Sequence, residues 1–231
     1  MNAWQSVAIS EIGQRDTNED AFLEAPDLGL WAVADGMGGH AHGEVASRTA
    51  LAALKNAIHE GQDLTTAVTA ANRATWQVAR QRGSDMGTTL VALRLRADSG
   101  EIAWLGDSRA YRWDGATLSQ LTTDHTVVQQ WVDQGRIRPD EARHHPYGHV
   151  LTRGVGLDRD EQADTAAVAL EGGERFLLCS DGLTDTLNEE EIAAVLEATP
   201  DSEIPRALYH RAAATGNPRQ DNLTAVLVYP G

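Results

Sequence analysis

Three aspartates each follow a short apolar run, at the position where a buried strand would deliver a carboxylate to the end of a sheet. Asp35 comes after the run WAVA, Asp107 after IAWLG and Asp181 after FLLCS. A single Asp-Gly pair would be weak evidence for a functional site, because most such pairs form ordinary turns. Three acids in matching contexts predict one shared site.

The chemistry of such a site is that of a divalent cation. Ionised carboxylates at neighbouring strand ends repel one another, and they are costly in a partly dry site unless a cation neutralises them. Oxygen ligands favour hard ions such as Mg²⁺ or Mn²⁺, and no Cys/His cluster with zinc spacing surrounds these acids. Gly36, directly after Asp35, would let the backbone approach an ion and offer its carbonyl as a further ligand.

Further acids lie beside other predicted strands. Glu19 and Asp20 end a charged polar segment and begin a hairpin whose second strand ends at Asp35. Antiparallel pairing would place all three at the same end of the sheet. A solvated loop is the alternative interpretation of that segment. Asp221 stands just before the last predicted strand, at 223–229.

Length and composition are those of an ordinary globular chain. The 231 residues suit one large domain or at most two, and 42% hydrophobic content is enough for a sizeable core. The formal charge of −15 argues against a nucleic-acid or anionic-membrane partner. The lone Cys179 excludes an intramolecular disulfide and fits a small buried hydrophobe. No signal-like N-terminus or long apolar run occurs, so we expect a cytoplasmic protein without membrane insertion.

Hydrophobic periodicity predicts antiparallel sheets covered by helices. Helices are predicted at about 43–60, 63–80, 189–198 and 202–214. Strands are predicted at 4–10, 20–25, 28–34, 86–95, 102–105, 110–113, 118–121, 175–180 and 223–229, with those from 86 to 121 forming one meander. No crossover helices separate the strands of that meander, so a doubly wound parallel sheet is excluded.

The segment 123–156 is the least regular part of the sequence, and we call it the flap. It contains a predicted helix at 127–134 and a second helix start at Pro139. It also carries His144, His145 and His149. Adjacent side chains point apart and no acid at helical spacing accompanies them, so we interpret these histidines as surface residues rather than metal ligands.

Eight motifs, taken in order, closely resemble those of PP2C-type (PPM) metal-dependent serine/threonine phosphatases in their short bacterial form. They are RDTNED at 15–20, DGMGGH at 35–40 with GEVAS at 43–47, MGTT at 86–89, GDSR at 106–109, DH at 124–125, LTRGVG at 151–156, SDGLTD at 180–185 and DNLT at 221–224. The match spans nearly the whole chain. It implies an α+β fold in one domain, residues 1–231, with two antiparallel sheets flanked by helices on both faces and a flap at about 123–156.

The resemblance also implies a metal centre and a reaction. The residues it assigns to metal binding are Glu19, Asp20, Asp35, Gly36, Asp107, Asp181 and Asp221. Asp35 would bridge two Mn²⁺ or Mg²⁺ ions, and Asp107 would share a third, weaker site with Asp181. A hydroxide bridging the two core ions would hydrolyse phosphoserine or phosphothreonine without a phosphoenzyme. Arg15 would bind the phosphate oxygens through its planar fork of donors.

One position departs from the pattern of the animal members. They carry a histidine directly after Asp-Gly that is proposed as the general acid, whereas this chain has Met37 there. Two candidates for protonating the leaving group stay open, a metal-bound water and His40. A structural role for His40 is the alternative. Bacterial forms with the DGMGGH motif share this feature.

Rival functions are less well supported by the residues. A catalytically inactive scaffold that binds phosphoproteins would be expected to lose catalytic residues, but every acid at a metal position is present, as is Arg15. No EF-hand calcium loop and no GxxxxGK[ST] loop occurs, which argues against a calcium module and an NTP hydrolase. The implied partners are phosphorylated proteins, substrates of a bacterial Ser/Thr kinase. The pathway and the oligomeric state stay open, with a monomer as the expectation.

Overall fold

Two five-stranded antiparallel sheets face each other at the centre of the computed structural model, which describes residues 4–38, 42–143 and 145–231. The first sheet, in spatial order, contains β1 (Trp4–Glu11), β12 (Leu223–Pro230), β11 (Arg175–Cys179), β8 (Arg109–Trp113) and β9 (Leu118–Gln120). The second contains β10 (Asp164–Val168), β7 (Gly100–Leu105), β6 (Leu90–Leu95), β3 (Leu30–Ala34) and β2 (Ala21–Ala25). A short two-stranded ribbon joins β4 (Gly36–Met37) and β5 (Gly87–Thr88).

Helices cover both outer faces of this sandwich. The helices, in chain order, are α1 (His42–His59), α2 (Leu64–Arg82), α3 (Val127–Asp133), α4 (Pro139–Ala142), α5 (Asp181–Thr184), α6 (Glu189–Ala198) and α7 (Ile204–Ala213). The first two pack on the second sheet, and α6 and α7 pack on the first. The predicted α+β sandwich with helices on both faces is confirmed.

The alternation of side chains along each strand produces the layers. In β3, Trp31 and Val33 point between the sheets, where they join Phe176 and Leu178 of β11. The intervening Ala32 of β3 faces α1 and α2. Every residue of β3 is buried, because this central strand is covered on both faces. The strand therefore holds the residue that follows it, Asp35, in a fixed position.

Local signals fix the ends of the helices predicted at 63–80 and 189–198. Asp63 caps α2, because its side chain accepts a hydrogen bond from the Thr66 amide at 2.8 Å. Gly83 ends the same helix in the left-handed conformation, with φ of 60°. The predicted helix 189–198 coincides with α6, which begins with a capping box between Asn188 and Glu191.

The predicted meander from 86 to 121 is wrong. Strands β6 and β7 pair in the second sheet, whereas β8 and β9 pair in the first, so the chain crosses between sheets at 106–108. Gly106 makes this crossing possible, with φ of 103°, and a Cβ there would lie 2.6 Å from the Thr89 side chain. Likewise, the predicted strand 86–95 is interrupted at Thr89, between β5 and β6. The short strand β4, the strand β10 and the short helix α5 were not predicted from the sequence.

No membrane insertion was expected from the sequence. Among the described residues, none of the helices combines the length and the apolar character that a membrane span requires.

Asn72 of α2 forms hydrogen bonds with the backbone at the end of the flap and just after it. It is fully buried, and its side-chain amide donates to the carbonyls of Asp158 at 2.9 Å and Arg159 at 3.1 Å. Its Oδ1 accepts from the Gly156 amide at 2.7 Å. One side chain therefore satisfies several backbone groups of a loop that has no regular structure of its own.

Replacing Asn72 with alanine should lower the free energy of unfolding by about 2–3 kcal/mol, because buried backbone groups would lose their partners. Urea melts followed by circular dichroism measure this loss. The exposed Asn56 of α1 offers a matched control, and Asn56→Ala should leave the midpoint nearly unchanged. Equal midpoints for the two variants would contradict the role given to Asn72.

Candidate metal centre

The acids predicted from the sequence meet at one end of the sandwich. Asp35 follows β3, Asp181 follows β11, and Asp221 precedes β12. Pairing of Ala21 with Ala34 places the acid before β2 next to the acid after β3. The end of each strand thus delivers one carboxylate to the same region, as the strand-end pattern predicted.

Backbone contacts fix the position of Asp35. Its amide donates to Thr89 Oγ1 at 3.0 Å, and its carbonyl accepts from the Thr89 amide and from Thr88 Oγ1, both at 2.8 Å. Thr89 Oγ1 also lies 2.6 Å from Ser108 Oγ. Through these contacts, the MGTT and GDSR motifs connect the end of β3 to the crossing between the two sheets.

The electrostatics of the cluster are those of crowded, desolvated acids. Burial raises the pKa of Asp35 well above its ordinary value, and the neighbouring Asp20, Asp181 and Asp107 raise it further. Burial likewise raises the pKa of Asp181, with Asp107 next in effect. The pKa of Asp20 rises to about 6 and that of Asp107 to about 7, in both cases mainly because of burial. Ionising these groups together is therefore unfavourable without a source of positive charge.

Two features of the cluster fit divalent cations. Asp20 Oδ1 and Asp181 Oδ1 are buried without a hydrogen-bond partner, so each offers a lone pair to an ion. Gly36 lies against backbone, since a Cβ there would come within 2.2 Å of the Gly43 carbonyl oxygen. An oxygen-only donor set of this kind suits Mg²⁺ or Mn²⁺.

The described carboxylates cluster without forming a closed ligand shell. Within residues 4–38, 42–143 and 145–231, no three His, Cys, Asp or Glu side chains have the spacing of a formed metal site. Two oxygens are engaged elsewhere, because Ser180 Oγ donates to Asp20 Oδ2 at 2.7 Å and Arg15 donates to Asp221 Oδ2 at 2.5 Å. Ion binding would therefore require side-chain rotation, with the backbone already in place.

Arg15 lies at the edge of the cluster. Its pair with Asp221 raises the arginine pKa, and the charges of Asp181 and Asp35 also contribute. The Arg15 side chain is half-exposed, with 57% of its surface accessible, so it can be reached from solvent. The structure thus places this predicted phosphate-binding residue beside the predicted metal-binding acids.

Glu19 is positioned through its backbone. Its amide donates to Asn222 Oδ1 at 2.8 Å, and its carbonyl accepts from Ser47 Oγ at 2.7 Å. Asn222 in turn donates to the carbonyls of Ile12 and Thr17, at 2.8 and 3.0 Å. Asn222 therefore holds the loop that carries the acids, a role that the sequence analysis did not assign. The only sequence feature that could have pointed to this role is the position of Asn222 within the DNLT motif.

Asp185 is a second residue that the sequence analysis left without a role. Its charge contributes to the raised pKa values of both Asp107 and Asp181, so the three carboxylates are neighbours. Asp185 stands four residues after Asp181, a spacing that puts both on one face of a helical turn. That spacing within SDGLTD could have identified it.

The histidines have separate outcomes. His40 and His144 lie outside the described residues. His145 packs against the rings of Trp131 and Tyr147 at 5.2 and 5.6 Å, in keeping with a surface role in the flap. No role was predicted for the buried His125 of the DH motif, and its Nδ1 accepts from the Gly106 amide at 3.1 Å. It therefore supports the turn that carries Asp107.

Comparison with known proteins gives consistent matches. The sequence profile of the family described as Protein phosphatase 2C matches residues 9–227. The serine/threonine protein phosphatase PstP of Mycobacterium tuberculosis is 38% identical over 221 residues, which are 92% of this chain and 42% of that relative. The chain therefore spans less than half the length of this relative.

Two solved structures superpose on nearly the whole chain. PppA, a regulatory component of the type VI secretion system in Pseudomonas aeruginosa, is 36% identical with a TM-score of 0.85, covering 99% of this chain and 98% of its own. The catalytic domain of PstP in complex with two manganese ions is 33% identical with a TM-score of 0.88, covering 99% of each chain.

Proposed function

Since the chain belongs to the protein phosphatase 2C family, we propose that it is a metal-dependent protein serine/threonine phosphatase acting on phosphoserine and phosphothreonine. The observation that carries the proposal is the cluster of desolvated acids at the strand ends, centred on Asp35. The solved relative with two manganese ions supports Mn²⁺ or Mg²⁺ as the cofactor, with two core ions.

The residues that would hold the ions are Glu19, Asp20, Asp35, the carbonyl of Gly36, Asp181 and Asp221, with Asp107 at a third site. When bound, the cations supply Lewis acidity that activates water and offsets charge on the phosphate oxygens. The chain contributes the placement of these ligands, through the backbone contacts of Asp35 and the loop held by Asn222. It also contributes Arg15 as a donor to the phosphate.

The physiological setting follows from the same chemistry. Substrates of this class arise from a Ser/Thr kinase, which consumes ATP, so we place the enzyme in the cytoplasm, acting as a monomer against a bacterial kinase. We assign residues 1–231 to one phosphatase domain with the flap at 123–156. The apolar layers on either side of the two sheets support a single cooperative unit.

Titration of Mn²⁺ into chelator-treated protein tests the function. We expect hydrolysis of both an aryl phosphate and a phosphothreonine peptide to appear with the metal. A catalytically inactive scaffold would bind phosphopeptides and hydrolyse neither substrate, so absence of turnover at saturating Mn²⁺ would contradict the proposal.

Replacing Arg15 with alanine should raise KM for a phosphopeptide and lower kcat/KM by roughly 10- to 100-fold, the equivalent of about 1.5–3 kcal/mol for a charge-assisted hydrogen bond. Steady-state kinetics measure the loss. Arg15→Lys is the matched control, because it keeps the charge but not the planar fork of donors. An unchanged KM in Arg15→Ala would show that Arg15 does not bind the substrate phosphate and serves only in its ion pair with Asp221.

A further inference from the structure

A cleft of about 610 Å³ runs between the flap and the core of the molecule. Its inner end is lined by Asp107 and Asp181, so it opens directly from the candidate metal centre. Its outer end is lined by Glu189 and Glu190, in the first turn of α6. A substrate segment that places its phosphate at the metal centre would therefore have an adjoining channel for neighbouring residues.

The charge of this cleft is strongly unbalanced. Seven acidic side chains line it against two arginines. Arg109 is already neutralised by Asp124, to which it donates at 2.7 and 2.9 Å. Arg143, on the flap, donates to the carbonyl of Thr184 at 3.4 Å rather than to a carboxylate. Arg143 therefore keeps its positive charge, but seven acids against two arginines still leave the cleft negatively charged.

The inner end shows that the cleft is built to receive positive charge. Asp107 is only 8% exposed, yet no other described residue forms a hydrogen bond or ion pair with its side chain. Burial of an unpartnered carboxylate is costly without a cation. A metal ion would neutralise Asp107, and beyond the metal centre the acidic lining of the cleft continues through Asp185 to α6.

Only one of the three acids in the first turn of α6 is engaged in the capping box. Acidic residues in a first turn favour a helix through its dipole, and Glu191 fills this role, because it completes the capping box with Asn188 and pairs with Arg211 at 3.0 Å. Glu189 and Glu190 are exposed, and neither has a described hydrogen bond or ion pair to its side chain. They are therefore available to a partner.

We propose that this cleft binds basic residues flanking the phosphorylated residue, so that the enzyme prefers substrate segments carrying lysine or arginine beside phosphoserine or phosphothreonine. The proposal rests on the phosphatase function proposed above. Glu189 and Glu190 are the specificity-determining residues. Complementary charge of this kind selects among substrates more than it adds binding energy, and it weakens as salt rises.

The experiment compares phosphothreonine peptides that differ only in whether lysine or alanine flanks the phosphorylated residue, with Mn²⁺ present. We expect kcat/KM to be about threefold to tenfold higher for the lysine peptide at low salt, the scale of two exposed charge pairs. The preference should shrink at 0.5 M NaCl, where the Debye length falls to about 4 Å. It should also fall to less than half in the Glu189→Gln/Glu190→Gln double variant.

For each variant, kcat/KM for the lysine peptide is divided by kcat/KM for the alanine peptide. A general loss of activity or of folded protein therefore cancels in this ratio. Glu197→Gln, at the far end of α6, is the matched control and should keep the full preference. Equal kcat/KM for the two wild-type peptides, or an undiminished ratio in the double variant, would overturn the proposal. Failure of the phosphatase function itself is distinguishable, since neither peptide would then be hydrolysed.

Discussion

Replacing Asp35 with asparagine should reduce metal-dependent phosphate-ester hydrolysis by roughly 10³-fold or more, because a loss of several kcal/mol of metal-assisted stabilisation corresponds to that factor. Asparagine keeps the shape of the side chain and removes its charge. Three neighbouring carboxylates oppose the ionisation of Asp35, so it lies within the cluster. Steady-state assays with an aryl phosphate at saturating Mn²⁺ measure the effect.

The variants Asp181→Asn and Asp221→Asn should behave alike, since the same strand-end geometry places all three acids. Asp98→Asn, at an exposed position in a turn, is the control for removing one negative charge from an acidic protein. Full activity in any of the three site variants would show that the cluster is not the catalytic metal centre.

The Asp35→Asn substitution should stabilise the metal-free protein, and the gain in its free energy of unfolding should grow with pH. Burial raises the pKa of Asp20 to about 6 and that of Asp107 to about 7, whereas an unfolded aspartate titrates near about 3.9. The folded protein therefore holds more protons than the unfolded chain between about pH 4 and 7. Stability contributed by these acids is present below about pH 4 and is lost as the pH rises through their folded values.

Urea melts in EDTA measure this effect for wild type and Asp35→Asn. Near pH 4 the two proteins should have similar stability, because Asp35 is protonated there in the folded state. At pH 7 the variant should be the more stable, since one of the crowded charges is gone. A variant that is less stable than wild type at every pH would mean that Asp35 contributes more through its contacts than it costs through repulsion.

The elements of the fold were largely predictable from the sequence because their signals are local. Asp63 marks the start of α2, and the predicted helix 189–198 coincides with α6. The assignment of strands to sheets was not predictable, because β6, β7 and β8 all read as apolar strands joined by turns. The crossing from β7 to β8 takes place at Gly106, whose backbone has a φ of 103°.

The acids of the site were predictable from their positions at strand ends, but their partners were not. Arg15 and Asp221 are 206 residues apart in sequence. Asn222 likewise holds a loop that begins 210 residues earlier. Such contacts depend on β1 pairing with β12, which brings the two ends of the chain together. No local pattern encodes that pairing.

The crossing between the sheets also positions Asp107, and its substitution by alanine should separate two classes of substrate. When the phosphate ester of phosphoserine or phosphothreonine is broken, the serine or threonine alkoxide is a poor leaving group that needs a proton, and general acid catalysis contributes about 10²–10⁴-fold. Met37 stands where the animal members carry the histidine proposed as general acid, and we predict that a weak third ion held by Asp107, rather than His40, supports proton delivery. Turnover of a phosphothreonine peptide should therefore fall by about 10²-fold or more.

An aryl phosphate has a good leaving group and needs little acid assistance, so its hydrolysis by Asp107→Ala should fall by less than about tenfold. Asp107→Asn should give the same pattern, since the missing element is charge rather than volume. Calorimetric titration with Mn²⁺ completes the test, because the two tight core sites should survive while a weak site disappears. Equal losses on both substrates, or loss of tight Mn²⁺ binding, would instead place Asp107 among the ligands of the core ions. Asp107 is close enough to Asp181 to share a core ion with it. The loss on the phosphothreonine peptide relative to the loss on the aryl phosphate therefore distinguishes a weak third site from a core site.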